Sequence, residues 1–195
     1  MESAMRLEEV IDLNKHQISN PTFRENSRKC FERDGVLILP GFVSSTAIEA
    51  IRAEGLNNQS KAYFCSEKHN PYLMPTDPEY SSDHPRNKQV VSSKGCIADD
   101  QIPKNSALRT LYNAEVFKDF LSHVLEEDCL FPYADEVSPI NLHYAKTGQE
   151  LGWHYDNSSF AITLMIQPAE EGGEFEYVRN TRDADKGDMN FEGTN

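Results

Sequence analysis

The sequence predicts an α+β protein in which helices come first and short antiparallel strands follow. Helical patterns fill residues 22–33, 46–54 and 106–125, while strand patterns, apart from one short run at 36–40, begin after residue 138. Helices and strands are therefore segregated along the chain rather than interleaved. That order favours a sandwich or jelly roll over a parallel sheet.

The helix over 22–33 stops at Asp34-Gly35. Residues 36–40 form a compact run of Val, Leu and Ile, which reads as a buried strand. Ser44 and Ser45 offer N-caps to the next helix, which carries Ala47, Ile48 and Ile51 on one face and ends at Gly55. Residues 57–104 are dense in Asn, Ser, Asp and Pro and lose all periodicity, so an irregular lid or a disordered segment is expected there. The helix over 106–125 buries a stripe of Leu108, Leu111, Tyr112, Phe117, Phe120 and Leu121. Strands follow over 140–145, 151–155, 160–166 and 174–178, with turns at Gly148 and at 167–173. The tail over 179–195 is polar and holds no strand. Four strands are half of the roughly eight that a jelly roll needs.

Bulk properties narrow the function. The chain has 195 residues, 38% hydrophobic and 26% charged, which suits a single globular domain over 1–195. Residues 1–135 would form its helical and irregular part, and 136–195 the first half of a β core. A net charge of −13 argues against nucleic acid and against an anionic membrane surface as partners. The longest apolar runs are too short to span a bilayer, and the acidic N-terminus does not read as a signal peptide. Cys30, Cys65, Cys96 and Cys129 are scattered without a CxxC pair, so reduced thiols and a cytoplasmic location are expected.

His154 and Asp156 lie two apart on an expected strand, so their side chains share a face. One imidazole and one carboxylate are two thirds of the facial triad that holds non-haem Fe(II), with positions left open for an oxo-acid and for O2. Most His-x-Asp pairs are ordinary surface residues, so the surrounding sequence has to carry the case. Trp153 alternates with His154 and is expected in the core. His143 reads as a structural histidine, and Glu174 with Glu176 as a solvated face.

The stretch INLHYAKTGQELGWHYDNSSFAITLMIQPAEEGGEFEYV, residues 140–178, resembles the Fe(II)/2-oxoglutarate-dependent oxygenase superfamily, nearest its free-amino-acid hydroxylases and halogenases. The lead-in FERDGVLILPGFVSS, residues 31–45, is similar to theirs as well. The resemblance implies a double-stranded β-helix (jelly-roll, cupin-like) core, incomplete in this chain. It implies a dioxygenase that hydroxylates a small polar substrate, such as a free amino acid, and converts 2-oxoglutarate to succinate. His154 and Asp156 would be metal ligands, and Tyr144 would help seat 2-oxoglutarate, its alternative role being that of a core aromatic. Asn141 would hold cosubstrate or substrate by its amide, or else a strand-edge hydrogen bond. Asn157 would touch the substrate, or serve only a turn. Because Asp156 occupies the position that is vacated for halide in halogenating relatives, hydroxylation is expected over halogenation.

The pattern departs from that family at one point. None of the 39 residues after Asp156 is a histidine, and Arg179 and Arg182 come too early to clamp 2-oxoglutarate. A truncated chain, an inactive remnant used as a jelly-roll binding module, and an unusual site completed by His143 are the alternatives. Truncation is the one expected, because an open half-barrel would expose strand edges.

Overall fold

The computed structural model describes residues 3–179, 181–183 and 186–193. The expected polar tail thus falls partly outside the described residues, at 180, 184–185 and 194–195. The chain divides into two compact units, one made of Met1–Lys61 with Ile97–Leu142 and the other of Ala62–Cys96 with His143–Asn195.

The first unit is helical. It holds α1 (Leu7–Val10), α2 (Pro21–Asp34), α3 (Ser45–Asn58), α4 (Ala107–Asn113) and α5 (Glu115–Leu125), with 3-10 turns at Gln59–Lys61 and Asp99–Gln101. Local chemistry sets the ends of α2. Asn20 accepts from the amides of Thr22 and Phe23 at 2.8 and 3.2 Å, and Pro21 supplies a pre-set φ in the first turn. At the other end Gly35 sits at φ 69°, a left-handed cap that a side chain would strain. Ser44 caps α3 as expected, accepting from Ala47 at 3.2 Å. Gly55, expected as the stop of this helix, is instead buried within it, and α3 continues to Asn58.

Phe120 is the centre of this unit's core, with Val10, Ile11, Ile18, Ala47 and Ile51 also buried. Packing between α2 and α5 brings the rings of Phe23 and Phe120 to 5.9 Å, and Phe42 lies 5.4 Å from Phe117. The single helix expected over 106–125 is two. Ala114 leaves helical geometry at ψ 113°, ending α4 and starting α5, so that each half places its apolar face separately.

The strand expected over 36–40 does not form. The Pro40 carbonyl is taken by the Lys15 ammonium and by the His16 ring, and Ile38 is 70% exposed. A run of β-branched residues specifies a strand only where another strand offers a ladder, and here the only bridge is the isolated pair Ile11–Val43.

The second unit carries most of an open sheet in the order β1-β2-β3, with β1 at Tyr63–His69, β2 at Val90–Ile97 and β3 at Leu142–Tyr144. β1 and β2 are antiparallel, running from Tyr63 opposite Cys96 to His69 opposite Val90. Both lie in the segment expected to be irregular. A Cβ at Gly95 would meet the Phe64 ring 2.5 Å away, so the glycine lets that ring lie across β2. The loop joining the strands is pegged by two buried asparagines. Asn70 accepts from the amides of Tyr72 and Met74, while Asn87 donates to the carbonyls of Asp77 and Tyr80 and accepts from the Asp77 amide.

Among the described residues the expected jelly-roll core is therefore absent, and three strands form an open sheet in its place. Of the strand over 140–145 only the three residues of β3 form. The segments at 151–155, 160–166 and 174–178 make no strand. Ile162, Met165, Phe175, Tyr177 and Val178 are 48–70% exposed, so the alternation that predicted strands is present while the second layer it would pack against is not. No described helix is long and apolar enough to cross a membrane.

Two outcomes follow from this packing. Phe120→Ala should cost about 3–5 kcal/mol in a urea melt, while Val178→Ala stays within about 0.5 kcal/mol of wild type. On the surface of α2, Arg28 and then Lys29 hold the Glu25 carboxyl down at about 2. The folded value lies below the unfolded one, so the contribution of this carboxylate is present above the ordinary glutamate range and disappears as pH falls through about 2. Carboxyl-carbon NMR should show that low midpoint, returning to the ordinary range in Arg28→Met.

Candidate functional site

The segment bearing His154 and Asp156 is held against β2 by serine side chains rather than by a ladder. Ser93 donates its amide to the Glu150 carbonyl at 2.7 Å, and its hydroxyl accepts from the Glu150 amide at 3.3 Å. The Ser92 hydroxyl accepts from the Gly152 amide at 3.0 Å. Tyr155 donates its amide to the Pro71 carbonyl at 2.8 Å. Gly152 makes this approach possible, since a Cβ there would lie 2.7 Å from the Val91 carbonyl oxygen.

On this support two imidazoles, a hydroxyl and a carboxylate come together. His154 Nδ1 lies 2.8 Å from the Gly152 carbonyl, which can only accept, so Nδ1 carries the proton and Nε2 faces Asp156 Oδ1 at 3.4 Å. The His69 ring stands edge-on to His154 with centroids 6.1 Å apart. Its Nδ1 donates to the Asn70 carbonyl at 3.0 Å, which leaves Nε2 to accept from the Ser92 hydroxyl at 2.6 Å. Ser92 thus joins His69 to the backbone of Gly152. Arg182 donates to the Asp156 carbonyl at 3.3 Å and covers the Tyr155 ring at 4.1 Å. The group is open to water, with the His154 side chain 30% and the Asp156 side chain 55% exposed. Such a set can bind a polar ligand and move a proton.

The other expected residues are placed as follows. Tyr144 lies half-buried on β3, where burial and then the nearby Cys96 push its hydroxyl above the usual tyrosine range. Asn141 belongs to the first unit and donates to the Ser138 carbonyl at 3.0 Å. Asn157 is exposed in a bend just after Asp156. Trp153, expected in the core, is 51% exposed. His143 is pushed below the usual histidine range by the atoms packed about its ring and then by Lys94, an effect tempered by its exposed edge. His69 and Ser92 escaped the sequence reading because both fall in the segment without periodicity, where no spacing connects residue 69 with residue 92.

These residues do not fit an iron centre. Among the described residues no three His, Cys, Asp or Glu side chains converge to hold a metal. The pair of His154 and Asp156 lacks a third ligand, and His143 does not supply one. Arg182, rather than clamping an oxo-acid, is engaged with Asp156 and Tyr155. With the double-stranded β-helix also absent, the expected oxygenase resemblance is overturned. The expected Fe(II), 2-oxoglutarate and O2, the hydroxylase activity and the alternative of a jelly-roll binding module go with it.

Ser92→Ala should remove the hydroxyl link from β2 to the Gly152 amide while the two Ser93 bonds to Glu150 remain. Local opening at the Gly152 amide is expected to become easier by about 1–3 kcal/mol, read by hydrogen exchange, with α2 and α5 unaffected.

Comparison with known proteins supplies a different family. No curated protein and no solved structure matches the chain. Residues 19–193 match the family model HalD, described as Halogenase D. Since that match runs through both units and covers most of its length, the chain belongs to the Halogenase D family.

Proposed function

We propose that this chain binds a small polar organic molecule for halogenation, with His154 and Asp156 as the polar centre that meets it. The observation that carries this reading is the Halogenase D match over residues 19–193. The site adds support of a second kind. Gly152 fixes one nitrogen of His154, so the other is directed to a ligand beside the Asp156 carboxylate. In this reading His154 Nε2 and the Asp156 carboxylate are the polar pair that meets the ligand, and Asn157 and Tyr144 offer further polar contacts. A net charge of −13 disfavours nucleic acid as the ligand. Cysteines outside disulfide bonds suit action in a reducing cytoplasm.

The test is halogen incorporation. The full chain is incubated with chloride or bromide, a panel of small polar molecules and clarified, aerated cell extract, which supplies the two-electron oxidant that replacing C–H by C–halogen with a halide ion requires. Products are read by mass spectrometry from the isotope doublet of the halogen. A halogenated product is expected, falling about 100-fold or more in His154→Ala. No incorporation with either halide across the panel, or full activity in both His154→Ala and Asp156→Ala, would overturn the reading.

A further inference from the structure

Among the described residues, a buried guanidinium in the second unit has no carboxylate paired with it. Arg86, in the loop between β1 and β2, is 5% exposed. A guanidinium is a permanent cation with N–H donors and no acceptor. A buried ion needs a counter-charge or a full set of acceptors, and Arg86 has neither. Nη2 donates to the Pro75 carbonyl at 3.1 Å. The rings of Tyr72 and Phe191 lie 6.0 and 5.8 Å from Cζ, at the outer reach of a cation–π contact. Nη1 is fully buried and has no partner. Glu192, the acid of the same cluster, lies 3.2 Å from His84 and is 85% exposed.

Arg109 in the first unit shows what a satisfied arginine looks like in this protein. It pairs with the Asp99 carboxylate at 2.9 Å and donates to the carbonyls of Asp99, Ile102 and Pro103. Arg86 has the burial without the compensation.

We propose that Arg86 anchors a binding subsite for a small monovalent anion, walled by Tyr72 and Phe191. The unused Nη1 amino group, with two N–H donors and no protein acceptor, suits a small, weakly hydrated, singly charged ligand; a phosphate would bring acceptors and charge with nothing to meet them. The net charge of −13 makes an isolated buried cation the local exception in the field of the molecule. Phe191 is the wall that a substitution can remove. It sits half-buried on a single 3-10 turn, Phe191–Gly193, with its ring edge-on to Tyr72 at 5.0 Å and to Tyr80 at 5.7 Å. The inference rests on the halogenation reading only for the source of the anion, which is either free halide or the carboxylate of a small substrate.

Chloride NMR linewidths on the full chain, at constant ionic strength, test the site directly. Excess broadening is expected in wild type. Displacement by bromide and not by acetate or glycine identifies a halide site; displacement by acetate or glycine identifies a carboxylate site. In Arg86→Met, with folding checked by circular dichroism, affinity should fall about tenfold or more, and Arg86→Lys should retain part of it. Phe191→Ala leaves the charge in place and opens the wall, so it should shift the affinity even if Arg86→Met fails to fold. No excess broadening in wild type, or an affinity unchanged in both Arg86→Met and Phe191→Ala, overturns the proposal. Binding through Arg86 without halogen incorporation would instead count against the halogenation reading alone.

Discussion

Every backbone N–H and C=O removed from water must find a partner, and this chain meets much of that demand with short side chains instead of ladders. Asn20 and Ser44 close helix starts in the first unit, and Ser106 both caps α4 and donates to Glu54 at 2.7 Å. Asn70 and Asn87 hold the loop between β1 and β2 in one shape, and Ser92 and Ser93 tie the 150–152 segment to β2. With three strands in the sheet, these side chains do the positioning that a larger sheet would otherwise do.

The candidate site inherits that mode of support. His154 is oriented by the carbonyl of Gly152, and Gly152 is held by the hydroxyl that also engages His69. Geometry therefore passes from β2 through one hydroxyl to two imidazoles. A site built this way is specific in its hydrogen bonds yet open to water, consistent with binding and proton handling and not with a closed metal cage. Two arginine environments differ in the same terms. Arg109 is surrounded by acceptors and one carboxylate, whereas Arg86 is walled by aromatic rings.

The helices were legible because their signals are local. The stop at Gly35 needs only a left-handed φ, and the cap at Ser44 needs only its own hydroxyl near the amide of Ala47. The break at Ala114 was not, because alanine carries no signal of its own and the apolar stripe runs on across it. The strands failed for a related reason. Residues 160–166 and 174–178 alternate as strands do, but alternation only says which side chains share a face. Whether a backbone forms a ladder depends on a neighbour that lies elsewhere in the chain. β1 and β2 present the reverse case, since each supplies the other's partner while neither has a telling pattern.

What the sequence determined by itself is the set of elements whose energy is short-range: α2 with its caps, the start of α3, the apolar stripe of α5, and the proximity of His154 to Asp156 two residues on. Tertiary structure alone decided which histidine and which hydroxyl would join that pair, and it placed Arg86 under Tyr72 and Phe191. His69 and Ser92 lie far from residue 154 along the chain, and only the pairing of β1 with β2 and the seating of Gly152 on Ser92 bring them together. A contact between distant segments depends on the free energy of packing both at once, and no local pattern of residues encodes that.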